Sequence, residues 1–154
     1  VREEMKRKTV DFLKVVKVRE RVQEYNTQIR SSLGVSDFMK NQVWKDGEPI
    51  QEGFWVICLN ATHRVMGICK VAQGTLTECL IMPADALRPA ILYGSPSVVL
   101  VHNHPSGDPS PSAEDRLITI RICEAGRILG VKVLDHVIVG TTRFHSFKDD
   151  GLIE

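Results

Sequence analysis

The apolar positions of this chain follow two periods. Phe54-Trp55-Val56-Ile57-Cys58-Leu59 is an unbroken apolar run of strand length, the pattern of a strand buried on both faces. Asn60-Ala61-Thr62-His63 turns the chain, and residues 64–72 read as the second strand of a hairpin. Gly74 breaks it, and residues 75–81 read as a third strand. Residues 98–101 form a short buried strand; residues 131–139 and 144–147 supply two more. Helical spacing appears between them. Residues 83–93 suit a helix with Pro83 in its first turn and Gly94 at its end. Pro89 removes a backbone donor there, which predicts a kink or a start near Arg88. Residues 112–129 predict a longer helix, with Leu117, Ile118, Ile122, Ala125, Ile128 and Leu129 as its apolar face and Gly130 as its stop.

Upstream the pattern is thinner. Val10, Phe12, Val15, Val16 and Val18 favour a strand over residues 9–18. Ser36 is placed to cap a short helix reaching about Trp44, with Phe38, Met39 and Val43 at helical spacing. Lys45-Asp46-Gly47-Glu48-Pro49 is a turn-rich link. It divides an N-terminal part, residues 1–48 (basic arm, strand and short helix), from the dense part, residues 49–154. The order of elements predicts an α/β fold, a single domain with a central sheet covered by helices.

Composition agrees with one such domain: 154 residues, 43% apolar and 25% charged. No apolar run approaches the ~20 residues that cross a bilayer, and the charged N-terminus is unlike a signal peptide, so a cytoplasmic chain without a membrane partner is expected. Cys58, Cys69, Cys79 and Cys123 are scattered, with no C-x-x-C pair, and read as small apolar residues of a reduced chain. The net charge is +1, but residues 1–30 carry +4 and the remainder −3. A basic arm could touch nucleic acid, but a solvated segment with a mixed charge pattern is the favoured reading. Two Tyr and two Trp provide no stacking platform for single strands.

The chemistry concentrates after the 98–101 strand. His102 and His104 flank Asn103, and in an extended chain alternation points both imidazoles the same way. Asp115, at the start of the next helix, can fold back as a third ligand. Two imidazoles and a carboxylate with a fourth position for water is a catalytic zinc arrangement. A hydrolase also needs a base, and Glu52, just ahead of the buried strand, is the best candidate. Ser112-Ala113-Glu114-Asp115 also reads as a capping box, which alone would explain Ser112 and Asp115. It does not explain two histidines immediately upstream. Asp108 could be an alternate ligand or simply part of a Gly-Asp-Pro turn. His136 could orient a ligand or be a satisfied core histidine. His63 and His145 read as surface residues.

The run His102-Asn103-His104-Pro105-Ser106-Gly107, then Ser112, Asp115 and Asp135-His136, resembles the RadC-like proteins, bacterial members of the JAB/MPN+ (JAMM) metalloprotease superfamily. The shared motif is His-x-His, seven residues, Ser, two residues, Asp, with a Glu upstream. Glu52-Gly53-Phe54 and Gly74-Thr75-Leu76 match as well. The resemblance implies a cytidine-deaminase-like mixed sheet between helices. It implies Zn²⁺ held by His102, His104 and Asp115, Glu52 as general base, and Ser112 steadying the oxyanion of a tetrahedral intermediate. Two departures stand out. Full-length relatives carry a helix-hairpin-helix DNA-binding module. Here about fifty residues precede Glu52 without a hairpin glycine pattern, so direct DNA recognition is not expected. Many relatives also have a His where this chain has Met82 before Pro83.

The leading expectation is a zinc-dependent hydrolase of peptide or isopeptide bonds, with a protein or peptide as its substrate. The alternative is a DNA-repair or mobile-element accessory module in which the metal is structural or vestigial. A nuclease is weaker, since phosphodiester cleavage often uses two metals on several carboxylates and one compact ligand set is visible.

Overall fold

In the computed structural model, residues 26–74 and 81–154 are described. The strand expected over residues 9–18 and nearly all of the one expected over 75–81 lie outside them; Ile81, the last residue of the latter, is in no strand. The apolar run forms β1 (Gly53–Leu59), buried along its whole length. Its hairpin partner is β2 (Val65–Gln73), antiparallel and at an edge. On its other side β1 pairs antiparallel with β3 (Ser97–Asn103), equally buried. Then β4 (Lys132–Val139) joins parallel to β3, and β5 (Phe144–Ser146) antiparallel to β4. The sheet is therefore five-stranded and mixed, in the order β2-β1-β3-β4-β5.

Helices cover both faces. Between β2 and β3 runs α2 (Pro83–Tyr93), and between β3 and β4 runs α3 (Ala113–Leu129). Both sit on one face, where Phe54, Val56, Val98, Leu100, Leu87, Ala90, Ile122 and Ile138 form a core. The opposite face is covered by α1 (Ser32–Phe38) and a π-helical turn, Met39–Val43. There Phe38, Met39 and Trp44 meet Trp55, Ile57, Val99 and Val101. Full burial of such side chains contributes about 1.5–3 kcal/mol each, which is why β1 and β3, apolar on both faces, take the sheet's interior. Residues 27–29 add a bridge to the start of β2, Gln28 opposite Arg64.

Three boundaries depart from expectation. Ser36 caps nothing; it is buried inside α1, and Ser31 caps the helix by accepting from the Gly34 N–H. The spacing of Phe38, Met39 and Val43 belongs to a π-helical continuation, where the period differs from that of an α-helix. The helix α2 starts at Pro83, not near Arg88, because Pro83 occupies its first turn and Pro89 is tolerated in its buried interior. His145, expected at the surface, is half-buried edge-on to Phe147, whereas His63 is exposed in the hairpin turn.

The turn from α3 into β4 is tight. The Val131 N–H donates to the Gly126 carbonyl, and a Cβ on Gly126 would lie 2.5 Å from the Val131 carbonyl oxygen. Gly→Ala in an exposed helix gains about 1 kcal/mol. Forced overpacking costs about 1–3 kcal/mol, and the cost here lies in the upper half of that range because the obstacle is backbone, which cannot rotate away. Gly126→Ala should thus lower stability by roughly 1–2 kcal/mol. Urea unfolding followed by circular dichroism measures it; an unchanged or raised midpoint would refute the steric account.

Candidate metal centre

The C-terminal end of β3 delivers two histidines to one place. His102 faces the α2/α3 side, on the same face as Phe54 and Leu100, and its ring stacks on Phe54. Pairing does not stop at the strand's last residue: the His104 N–H donates to the Val139 carbonyl at 3.1 Å. The extended geometry persists, and alternation brings the two Nε2 atoms to 3.0 Å. Ligands at zinc bond lengths in a tetrahedral set sit about 3.3 Å apart.

The chain then turns through Gly107, where φ is +86°, and enters α3 with Ser112 as N-cap. The capping box is real and reciprocal. Ser112 Oγ accepts from the Asp115 N–H at 3.0 Å, while Asp115 Oδ2 accepts from the Ser112 N–H and O–H, both at 2.7 Å. The box does not exclude the other reading, because it uses Oδ2 and leaves Oδ1 facing His102. Asp115 Oδ1 lies 3.3 Å from His102 Nε2, and Oδ2 lies 3.7 Å from His104 Nε2. Glu52, just before β1, reaches the same place from the opposite side, with Oε1 3.9 Å from His104 Nε2. Glu52, His102 and His104 each offer a ligand atom within 4.8 Å of the others, so this group could bind a metal ion.

Burial divides these groups. His102 and Asp115 have no exposed surface, whereas the His104 and Glu52 side chains keep 17% and 20%. Burial drives His102 down to about 3, against the Asp115 carboxylate, which raises it. His102 is therefore a neutral imidazole. For Asp115, burial favours the neutral acid, but His104, His102 and the two Ser112 donors outweigh it and hold the carboxyl below its ordinary range. His104 is raised, chiefly by Asp115. Its Nδ1 donates to the Asp108 carbonyl at 2.7 Å, which leaves Nε2 facing inward.

The residues fit a cation. Asp115 Oδ1 is buried and has no hydrogen-bond partner. Its nearest neighbour, His102 Nε2, belongs to a neutral ring. A buried carboxylate oxygen without a donor costs several kcal/mol unless a positive charge meets it.

The other candidates take different places. Asp108 enters the centre through its carbonyl; its carboxylate turns outward to the Ser110 N–H and O–H, with Arg143 3.8 Å away. His136 is fully buried, with Nε2 2.8 Å from His102 Nδ1. Two contributors were not anticipated. Asn103 is a tie: its Oδ1 accepts from the Gly53 N–H at 2.8 Å, and its Nδ2 donates to the Pro49 and Gln51 carbonyls. It thereby fixes the segment that carries Glu52. Thr119 contacts His136 from α3. Its only sequence signal is a hydroxyl one helical turn beyond Asp115, among apolar neighbours.

The family described as RadC-like JAB domain matches residues 29–152. This chain belongs to that family. The RadC-like chain is 48% identical over 102 residues to a UPF0758 protein of Symbiobacterium thermophilum, covering 66% of this chain and 44% of the relative. It is 43% identical over 124 residues to a UPF0758 protein of Thermotoga maritima, covering 80% and 54%. A UPF0758 protein of Methanosarcina barkeri is 40% identical over 106 residues, covering 69% and 46%. The chain spans about half the length of the curated relatives it matches. The mixed sheet flanked by three helices is the JAB-type fold that the resemblance implied. Among the described residues, no helix is long and apolar enough to cross a membrane.

Asn103→Ala removes three hydrogen bonds and leaves the buried Gly53 N–H without its acceptor. Stability should fall by about 1–3 kcal/mol, while the chemical shifts of the His102 and His104 rings stay in place, because Asn103 points away from them. Thermal unfolding and histidine NMR of the same sample measure both; an unchanged melting temperature would refute the tie.

Proposed function

We propose that this RadC-like domain is a zinc-dependent hydrolase of peptide or isopeptide bonds. In this reading His102, His104 and Asp115 hold Zn²⁺, and Glu52 is the general base. The observation that carries it is the buried, ionised and unpartnered Asp115 Oδ1 facing His102 Nε2, with His104 Nε2 3.0 Å beyond. Asp115 is the better third ligand than Glu52, because Ser112 locks its carboxylate from behind and burial denies it water. Glu52 keeps part of its surface, and a proton carrier needs that access. Bound Zn²⁺ supplies Lewis acidity, polarising a carbonyl and bringing the pKa of a water to about 7.

The chain's own residues then divide the work. Glu52 takes a proton from the attacking water and returns it to the leaving amine. Asn103 keeps Glu52 in reach by pinning residues 49–53. Ser112 acts first through Asp115: its one hydroxyl proton lies on Oδ2. Oxyanion stabilisation by Ser112 thus requires that proton to swing from Oδ2 to the developing charge, a role in which one donor is worth ~3 kcal/mol. A protein or peptide is the expected partner, and the reduced, cytoplasmic setting read from the sequence suits such a site.

Zinc content separates the roles. Protein purified without added metal should hold one zinc per chain. His102→Ala and Asp115→Ala should lose it. Glu52→Gln should keep it while losing ~10²–10⁴-fold in cleavage of fluorogenic peptides with α- or ε-linked lysine. Undiminished zinc in both ligand variants would sink the site, and zinc loss in Glu52→Gln would make Glu52 a ligand.

A further inference from the structure

The ring of His136 lies against Phe54 and Phe147, with centroids 5.3 and 4.9 Å away, and has no exposed surface. Both its nitrogens are engaged, and not by a carboxylate. Nε2 is 2.8 Å from His102 Nδ1, and Nδ1 is 2.6 Å from Thr119 Oγ1. Thr119 Oγ1 is also 2.5 Å from the Asp115 carbonyl oxygen. These contacts allow one placement of protons. A carbonyl oxygen brings none, so two oxygens at that separation require the Thr119 hydroxyl to donate to Asp115. The hydroxyl has a single proton, so His136 Nδ1 must supply its own to Thr119 Oγ1. A ring enclosed by aromatic side chains, with no acid bonded to it, is neutral. His136 Nε2 is then a lone pair, and the proton between the two histidines sits on His102 Nδ1. His102 Nε2 is left bare, facing Asp115 Oδ1 at 3.3 Å and His104 Nε2 at 3.0 Å.

We propose that Thr119 and His136 form a proton-ordered relay that locks the tautomer of His102, so that its Nε2 is always presented as a lone pair to a cation. The inference rests on the metal reading above and deepens it. Thr119 and His136 are positioning residues, since neither reaches the centre. The circuit is closed: it starts at the Asp115 carbonyl and returns through His102 to the Asp115 carboxylate. A metal-bound histidine ordinarily has its other N–H oriented by a carboxylate, carbonyl or water. Here the orienting group is a second imidazole, which could take either tautomer by itself, and Thr119 removes that freedom. A merely structural Thr119 would be replaced by valine with little effect at His102, because the shape is nearly kept.

The test uses the full chain with ¹⁵N-labelled histidine, stripped of metal, and zinc affinity read by competition with a chelating dye. In the parent, long-range ¹⁵N–¹H spectra should show protons on His136 Nδ1 and His102 Nδ1. Thr119→Val should populate the His102 Nε2–H form and weaken zinc binding roughly 10–100-fold. Thr119→Ser, which restores the hydroxyl, should return both readouts to within about threefold of the parent. A Thr119→Val protein that keeps the His102 Nδ1–H form and parental affinity overturns the relay. Should that variant fail to fold, the parent spectrum decides: a proton on His102 Nε2 or His136 Nε2 overturns it directly. A parent that binds no zinc overturns the metal reading itself, whereas reversed tautomers in a zinc-binding parent overturn the relay alone.

Discussion

The centre depends on one constraint: an ionised carboxylate, Asp115, sits where water cannot reach it. An isolated buried charge is among the most expensive things a fold can contain, so everything around Asp115 is arranged to meet it. The capping box gives two donors to Oδ2, and the first turn of α3 adds the positive end of its dipole. The neutral His102 and the half-buried His104 approach Oδ1 and Oδ2 from β3. What remains after these contacts is one oxygen without a donor, Oδ1, facing the neutral His102 ring. A cation could complete that set.

The sheet makes the approach possible. In β3, alternate residues serve opposite faces, so Val98, Leu100 and His102 share the α2/α3 side while Val99 and Val101 contact the α1 side. Parallel pairing sets Leu100 beside His136 and His102 beside Ile138, which puts the two imidazoles diagonally adjacent on one face. The crossover through α3 returns that helix over the same face, so Asp115 and Thr119, one turn apart, reach both histidines. Asn103, on the other side of the pleat, is free to hold the strand that carries Glu52. One tripeptide thus addresses two neighbours at once, and the period of the strand is the reason.

Much of this was legible beforehand. Unbroken apolar runs pick out β1 and β3, and Gly94 and Gly130 adopt the left-handed turns that end α2 and α3. The spacing of His102, His104, Ser112 and Asp115 carries the site, because each sits where an element begins or ends. What could not be read depends on pairing partners distant along the chain. Nothing local says that Leu100 lies beside His136, so the partner of His102 is invisible until β3 and β4 are aligned. Thr119 is as silent, since a threonine in a helix most often bonds its own backbone, and this one does so while accepting from His136 as well. The start of α1 is ambiguous in the sequence for a local reason. Ser31 and Ser36 are equally good caps by type, and the π-helical turn shifts the apolar period that would have chosen between them.

The contrast between the two acids follows from the same geometry. Asp115 is fixed from behind by a backbone N–H and a hydroxyl and has no surface, so it can hold a charge but cannot exchange protons with solvent. Glu52 sits on a segment held by the Asn103 amide and keeps part of its surface, the access that the proposed general base needs. In the proposed reading, two carboxylates about one pair of histidines take different work from their surroundings rather than from their chemistry. If Asp115 were the exposed partner, water would compete for its Oδ1 and a cation would lose its strongest electrostatic reason to bind there. The division is built into where each residue leaves its element: one at the start of a helix packed on the sheet, the other at the open mouth of an interior strand.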